Sequence, residues 1–247
     1  MHRFFVEKEQ IQEDVIEIIG TDVKHIKDVL RMKTDEKIEI GSNGITYTCE
    51  ISSMDKNKII AKIIDKREGT NESDINITLY QGLAKGNKMD LIIQKCTEIG
   101  IKEFYPLASH RSVMKIKDIK KEQSKVERWN VIADEAAKQS KRDILPKVRN
   151  ILSFDEMIDM LKDKENIIVP YEDEKQETIK IGLKDVKGND IHLVIGPEGG
   201  FEPDEIEKLN EIGAKIVTLG PRILRTETAG IVSATIILYE LGNLGVI

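Results

Sequence analysis

The sequence has few of the residue types that build disulfide frameworks, metal centres or membrane spans. Its 247 residues include only two cysteines and four histidines. Cys49 and Cys96 cannot form a disulfide framework, and the scattered histidines have no metal-ligand spacing. No stretch approaches the ~18 apolar residues that a membrane-spanning helix needs, and the opening MHRFFVEKEQ lacks the apolar core of a signal peptide. These absences predict a protein of the reducing cytoplasm with no metal site.

The chain also lacks the excess of positive charge that is typical of nucleic-acid-binding proteins. Its formal net charge is −6, whereas neutralisation of phosphates by Lys and Arg drives much of RNA binding. The charge is unevenly distributed, however, because basic side chains outnumber acidic ones in residues 71–150 and acidic ones dominate residues 151–247. The acidic total therefore does not exclude an RNA partner.

The segment IGPEGG at 195–200 lies between a predicted buried strand and a predicted helix. An apolar run from Ile191 to Ile195 precedes it, and Pro203 follows at a position that suits the first turn of a helix. Its glycines allow a ligand to approach the main chain closely. The spacing matches neither GxGxxG nor a phosphate-binding P-loop, and taken alone the segment could be an ordinary tight turn between strand and helix.

A second glycine-bearing segment, LGPRILRTETAG at 219–230, makes a binding site the better interpretation. It too follows a short apolar strand, and Arg222, Arg225 and Glu227 crowd into the start of the helix behind it. Glu227 suits a helix N-terminus through the helix dipole alone, whereas Arg225 gains nothing from that dipole. Two such loops in succession predict a shared ligand pocket at the carboxyl edge of a parallel sheet.

The pattern of short strands and helices changes near residues 66–74, where a polar, turn-prone stretch predicts a domain boundary. Before it, short strands and an SNG hairpin turn at 42–44 predict a small β-barrel. After it, strands alternate with helices, which favours an α/β fold with a parallel sheet. We therefore expect one domain over 1–70 and a second over 71–247.

The two glycine segments closely resemble the cofactor-binding motifs of the SPOUT (trefoil-knot) superfamily, and in particular of RsmE-type 16S ribosomal RNA uridine-N3 methyltransferases. Other segments along most of the chain resemble the same family: RFF at 3–5, HIKDVLRM at 25–32, KGNKMDLIIQKCTEIG at 85–100, SHRS at 109–112 and QSKRDILP at 139–146. Such an ordered series is more specific than any one motif. One departure is Glu202, where relatives often carry a serine able to cap the following helix.

The resemblance implies a SPOUT-type parallel sheet with a C-terminal trefoil knot, preceded by a PUA-like RNA-binding barrel. The knot follows from the resemblance alone, because general rules of chain topology argue against knots. The resemblance also implies S-adenosyl-L-methionine (AdoMet) as cofactor, 16S rRNA of the small ribosomal subunit as substrate, and a homodimer. A stripe along the last helix is compatible with the dimer, although burial inside one subunit explains it equally well: Ile231, Ala234, Thr235, Leu238 and Leu241.

Site residues are assigned by matching this sequence to the motifs. Main chain and apolar side chains of three loops are expected to bind the cofactor: Pro170, Gly196, Gly199, Gly200, Leu219, Gly220, Ile223 and Leu224. Arg225 is the candidate for stabilising a uridine anion and Glu227 for accepting the N3 proton. Arg225 could instead be structural, paired with Glu198 or Glu227. Basic side chains in the matching segments are candidates for RNA contact: Arg3, Arg31, Lys85, Lys88, Arg111 and Arg142, with Phe4 as an aromatic candidate that a barrel core would also explain.

Two other functions stay open at the level of sequence. The same fold could carry out ribose 2′-O-methylation of transfer or ribosomal RNA, and the identity of the methylated nucleoside would separate the two reactions. A nucleotide-responsive RNA-binding protein without catalysis would bind AdoMet and never turn it over. The RTET entrance to the last helix favours methylation of a uridine base.

Overall fold

The computed structural model describes residues 1–112, 119–242 and 244, with residues 119–121 described for their backbone only. The chain divides into two compact units. The first comprises Met1–Glu72 and Ala137–Leu145, and the second comprises Ser73–Ala136 and Pro146–Ile247. The first unit is therefore discontinuous in sequence, because a short segment from the middle of the chain packs with the N-terminal residues.

The first unit is built on one curled five-stranded sheet. Its strands are β1 (Arg3–Phe5), β2 (Val15–Ile19), β3 (Lys37–Ser42), β4 (Ile45–Met54) and β5 (Lys58–Glu68). They are hydrogen-bonded in the order β1-β3-β4-β5-β2, with β1 parallel to β3 and the other pairs antiparallel. A 3-10 turn (Lys8–Gln10), helix α1 (Thr21–Lys24) and a π-helical turn (His25–Val29) connect them.

This sheet is a half-barrel, and two local features explain its shape. The hairpin between β3 and β4 turns at Asn43 and Gly44, whose φ angles of 49° and 78° are those of the tight turn that matches strand twist. The pairing of β4 with β5 shifts register twice, with Ile64 of β5 and Ser52 of β4 as the extra residues, and these bulges bend the two strands. The ladder order leaves β1 and β2 as the two ends of the sheet, so the barrel expected from the sequence is only partly closed.

Seven parallel strands form the sheet of the second unit: β6 (Asn76–Gly82), β7 (Glu103–Ala108), β8 (Lys147–Val148), β9 (Leu152–Ser153), β10 (Ile167–Pro170), β11 (Asp190–Ile195) and β12 (Lys215–Val217). Their order is β12-β10-β11-β6-β7-β8, and β9 also pairs with β7. The predicted parallel α/β sheet is confirmed. Strands β6 and β11 are central, and their apolar runs are buried because helices cover both faces of the sheet.

The helices that accompany this sheet are α2 (Lys88–Ile99), α3 (Ile119–Gln139), α4 (Phe154–Leu161), α5 (Ile179–Gly182), α6 (Pro203–Glu211) and α7 (Thr226–Glu240). Glycine ends two of them as the sequence predicts, since Gly100 after α2 and Gly213 after α6 have φ angles of 125° and 80°. Within the described residues, no helix is both long enough and apolar enough to cross a bilayer.

Helix α7 returns from the edge strand β12 to pack on the centre of the sheet. It contacts α2, β6 and β11, and its residues Ala234 and Leu238 are fully buried in the same apolar core as those elements. Burial within one subunit thus accounts for the inner part of the stripe seen in the sequence. On this return path, residues 218–225 pass the ends of β10 and β11, where the candidate functional residues lie.

Candidate ligand site at the carboxyl edge of the parallel sheet

Three loops at the carboxyl ends of β10, β11 and β12 enclose a cavity of about 390 Å³ in the second unit. This size lies within the ~300–1,000 Å³ range of small-molecule pockets. The open edge of a parallel sheet is the usual ligand position in α/β folds. The lining residues are Lys88, Pro170, Tyr171, Glu172, Lys175, Ile195, Gly196, Pro197, Glu198, Gly200, Phe201, Thr218, Leu219, Gly220, Pro221, Arg222, Ile223, Leu224, Arg225, Thr226 and Ala229.

The structure brings the predicted cofactor-binding residues together. Seven of the eight residues named from the sequence line this one cavity, although they come from three separate loops. Gly199 is the exception, because it lies against Arg111, although its neighbours Glu198 and Gly200 both line the cavity. From the loop after β10 the sequence identified only Pro170 as a site residue, and it did not identify Tyr171 and Glu172, which also form part of the wall.

The glycine loop after β11 lies unusually close to the end of the neighbouring strand β6. A Cβ atom added to Gly82 would lie 2.3 Å from the Pro197 nitrogen and 2.6 Å from the Gly196 carbonyl carbon. Gly200 adopts a φ of 70° and would press a Cβ against the Glu172 carboxylate. Glycine is required at both positions, and the close approach fixes the main chain that lines the cavity.

A buried polar chain joins the strand end, the glycine loop and helix α7. The Gln81 side-chain amide donates to the Thr226 hydroxyl at 2.8 Å, and that hydroxyl donates to the Gly196 carbonyl at 2.6 Å. All three residues come from different elements, and Gln81 is only 1% exposed. Neither side chain could be predicted as part of the site, because a glutamine at a strand end and a threonine in the first turn of a helix carry no local signal for such a contact.

A clamp at Arg111 holds the other side of the glycine loop. The Arg111 guanidinium donates to both oxygens of Glu202 at 2.7 Å and to the Gly199 carbonyl at 3.0 Å. The Glu202 hydrogen bond is the main cause that raises the pKa of Arg111. Glu202, which departs from the family's serine, thus anchors an arginine. The Glu205 carboxylate accepts from the Glu202 amide at the start of α6.

Lys88 links two carboxylates beside the cavity. Its Nζ lies 3.1 Å from Glu198 Oε1 and 3.4 Å from Glu227 Oε2. Burial opposes ionisation of Glu198, but hydrogen bonds from the Lys85 amide and from Lys88 outweigh it and lower the pKa of Glu198. The hydrogen bond with Glu198 is likewise the main cause that raises the pKa of Lys88. Glu198 and Lys88 are therefore both ionised at neutral pH.

The two predicted catalytic residues occupy different positions relative to the cavity. Arg225 is exposed, lines the cavity and directly precedes α7. Glu227 lies in the first turn of α7, just behind the lining residues Thr226 and Lys88. The alternative in which Arg225 pairs with Glu198 or Glu227 finds no support among the described residues, since the ion partner of both glutamates there is Lys88.

The basic residues predicted to contact RNA fall into exposed and buried groups. Arg31 and Lys85 are exposed, Lys88 is half-buried, and Arg111 is partly exposed while engaged in its clamp. Arg3 and Arg142, in the first unit, are each only 3% exposed. Phe4 is buried in the core of that unit, in agreement with the alternative interpretation that it is a core residue of the barrel.

Arg3 and Arg142 have their guanidinium groups committed to internal contacts. Arg3 bonds to the Arg142 carbonyl at 2.7 Å, to Asp143 at 3.1 Å and to the Thr46 hydroxyl at 2.8 Å. Arg142 pairs with Glu72 at 2.6 Å. These contacts tie the segment 137–145 to the N-terminal sheet, and such buried charges must stay paired. The burial of both guanidinium groups therefore argues against the RNA contacts that were predicted for Arg3 and Arg142 from the sequence.

The lining fits the nucleoside sulfonium cofactor that the family resemblance implies. Main-chain groups of the glycine loops offer donors and acceptors, and the side chain of Ile223 offers apolar surface for a purine ring. Ile223 is 84% exposed, so it has apolar surface left to cover.

Comparisons with known proteins agree with this arrangement. Residues 71–238 match the RNA methyltransferase domain family, and residues 18–64 match the RNA methyltransferase PUA domain family. The chain is 39% identical over 249 residues to ribosomal RNA small subunit methyltransferase E of Bacillus subtilis, with 97% of each chain covered.

Two solved structures bear the same fold. A methyltransferase E of this type from Neisseria gonorrhoeae, bound to S-adenosyl methionine, is 28% identical with a TM-score of 0.85 and 97% of each chain covered. A methyltransferase of Legionella pneumophila in complex with the same cofactor is 27% identical, with a TM-score of 0.86 and 96% of each chain covered.

Proposed function

Because this chain belongs to the RNA methyltransferase family whose curated members include ribosomal RNA small subunit methyltransferase E, we propose that it transfers a methyl group from AdoMet to N3 of one specific uridine in 16S rRNA. The observation that carries the proposal is the cavity formed by the loops after β10, β11 and β12. Relatives with matching folds are bound to S-adenosyl methionine in their solved structures, which supports the same cofactor here.

The cofactor is held chiefly by main chain in this proposal. The loop at Pro170, the glycine loop at Gly196–Gly200 and the segment Leu219–Leu224 supply peptide donors and acceptors for the adenosine and the amino acid portion. Ile223 and Leu224 cover the apolar surface. The polar chain from Gln81 through Thr226 to the Gly196 carbonyl keeps two of these loops in register.

The chemistry needs alignment and removal of one proton. AdoMet supplies a methyl group already activated by its sulfonium charge, so positioning of the uridine gives much of the acceleration. Arg225, at the rim of the cavity, stabilises the uridine anion as N3 becomes nucleophilic. Glu227, in the first turn of α7, accepts the N3 proton.

We propose Arg31, Lys85 and Arg111 as residues that position the RNA. The exposed side chains of Arg31 and Lys85 can reach phosphates, which set affinity more than sequence preference, whereas Arg111 would first have to leave its clamp on Glu202 and Gly199. Arg3 and Arg142 act instead through the structure of the first unit, because their guanidinium groups are buried. Residues 1–70 thus form the core of an RNA-binding domain, and residues 71–247 carry the methyltransferase site.

Three further properties belong to the proposal. A trefoil knot is supported by the return of α7 from the edge strand β12 to the central strands β6 and β11. A homodimer is supported by the exposed side chains of Ile223 and Tyr239 next to the site and on α7. The rRNA substrate lies within the small ribosomal subunit, so the enzyme works in the cytoplasm.

Methyl transfer to RNA tests the proposal directly. Purified protein is incubated with isotopically labelled AdoMet and either free 16S rRNA or small subunits from a strain that lacks the modification, and the nucleosides are then identified by mass spectrometry. Labelled 3-methyluridine is the expected product. A labelled 2′-O-methyl nucleoside would instead establish ribose methylation, and tight AdoMet binding without transfer to either substrate would establish a binding protein.

A further inference from the structure

Lys88 connects two elements that the proposed reaction uses. It occupies the first turn of α2, and its ammonium group bridges Glu198 of the glycine loop and Glu227 of α7 at 3.1 and 3.4 Å. We propose that Lys88 is a positioning residue that fixes the carboxylate of Glu227 for proton acceptance, rather than a residue that contacts RNA phosphates. This inference rests on the proposed function of the site.

The environment of Glu227 shows why it depends on Lys88. The side chain is 14% exposed, and its Oε2 is enclosed without a hydrogen-bond partner among the described residues. Lys88 is therefore the cation that balances the negative charge on this enclosed oxygen. Since Oε2 faces the ammonium, Oε1 is the oxygen that is left to accept a proton.

Lys88 is itself held in place from the other side. Glu198 accepts from the Lys88 ammonium and from the Lys85 amide at 2.9 Å, and this amide lies just before the N-terminus of α2. A carboxylate at that end of a helix is favoured by the helix dipole. Among the described residues, the ion-pair partner of Glu227 is thus Lys88, which in turn pairs with Glu198.

A lysine committed to two carboxylates is a poor phosphate ligand. Binding a phosphate would require the ammonium to leave at least one of the carboxylates, and Glu227 Oε2 would then be enclosed with no compensating charge. Lys85 differs, because its side chain is exposed. The sequence alone predicted RNA contact for both lysines of this segment. The structure makes Lys85 the candidate for RNA contact and Lys88 the candidate for positioning Glu227.

Lys88→Met, Lys88→Arg and Lys95→Met separate these roles. Lys95 lies on the same helix and pairs with Glu98 at 2.8 Å, which makes Lys95→Met a matched loss of one ion pair away from the cavity. Lys88→Met should lower kcat by about tenfold or more, since general base catalysis contributes about 10²–10⁴-fold. The affinity for RNA and its salt dependence should stay within about twofold, Lys88→Arg should recover most of the activity, and Lys95→Met should behave as wild type.

The pH dependence gives a readout that a purely structural role would not move. Without the cation the ionised carboxylate is less favoured, so the acidic limb of the kcat profile should move to higher pH in Lys88→Met. An unchanged kcat and profile would overturn the inference. A loss confined to RNA affinity, with a weaker salt dependence, would overturn it in favour of phosphate contact.

A measurement on the protein alone keeps the test independent of turnover. Carbon-13 NMR of the side-chain carboxyl groups, assigned with Glu227→Gln, follows the protonation of Glu227 in wild type and Lys88→Met. The titration midpoint should be higher in the variant, and equal midpoints would overturn the inference. If wild type yields no methylated nucleoside at all, the proposed function fails, while the NMR comparison still decides whether Lys88 controls Glu227.

Discussion

Replacing Gly82 by alanine tests whether the close approach of β6 to the glycine loop holds the site in shape. The new Cβ would lie 2.3 Å from the Pro197 nitrogen and 2.8 Å from its Cα, so two stretches of backbone must separate. Restoring an ordinary contact of ~3.4 Å needs a displacement of roughly 1 Å. Backbone cannot rotate away as a flexible side chain could, and the displacement must reach the Gly196 carbonyl that accepts from Thr226.

The cost can be worked from these contacts. Overpacking of this kind costs about 1–3 kcal/mol, and weakening the hydrogen bond to Gly196 adds about 1 kcal/mol. Alanine allows the unfolded chain fewer conformations than glycine does, which offsets about 0.4–1 kcal/mol of this loss in the free energy of unfolding. The net loss is therefore about 1–3.6 kcal/mol, which corresponds to a fall in Tm of about 2–14 °C for a chain of this length.

Calorimetry can test both consequences of Gly82→Ala. Thermal unfolding should show the lower Tm, and titration with AdoMet should show a Kd about tenfold higher or more, because the main chain that lines the cavity has moved. Gly196→Ala is the control for stability, since its Cβ would meet the Phe201 ring at 3.3 Å and the Gly200 carbonyl carbon at 3.4 Å, contacts that should cost clearly less than those of Gly82→Ala. A Gly82→Ala protein with the Tm and AdoMet affinity of wild type would refute the argument.

Three further predictions concern other parts of the chain. Arg225→Ala should lower kcat by about 10²-fold while the AdoMet Kd, measured by calorimetry, stays within a few-fold; lost cofactor binding would assign Arg225 to the pocket wall instead. Burial, with help from Lys164, lowers the pKa of His192, so the unfolded state binds the extra proton first and stability should fall as the pH drops below about 6.5. His192→Gln should flatten that dependence in Tm measurements between pH 7.5 and 5.5, and an equally steep dependence would contradict this cause. Burial raises the pKa of both Cys49 and Cys96 to about 12, so neither thiol should react with a disulfide reagent at pH 8 until the protein is unfolded, and rapid labelling of the native protein would contradict the burial.

Local patterns were sufficient to predict most of the second unit. The apolar run before Gly196, Pro203 at the start of α6 and Gly213 after its end all act through the conformation of their own neighbours, and the structure has the strand and helix where these residues predict them. The same reasoning predicted the loops that line the cavity. It missed β2 in the first unit, although Ile16 and Ile18 alternate there and are buried on one face and Gly20 follows the strand directly.

Long-range partners could not be read from the sequence. Arg3 looks like an exposed cation in a basic motif, yet its partner carbonyl belongs to Arg142, 139 residues away. Glu202 looks like a poor helix cap until Arg111 is found beside it, 91 residues away. Such contacts depend on how elements pack, and neither residue's neighbours in sequence encode its partner. Sequence motifs therefore located the site, but the side chains that fix its shape emerged only from the fold.

The most direct test of the proposed function is the nucleoside content of 16S rRNA from a strain in which the gene for this protein is deleted. Mass spectrometry should show the loss of one 3-methyluridine, its return on expression of the wild-type protein, and no comparable return with Arg225→Ala expressed at the same level. If every methyluridine persists in the deletion strain, or if a 2′-O-methyl nucleoside is lost in its place, the proposed reaction is wrong.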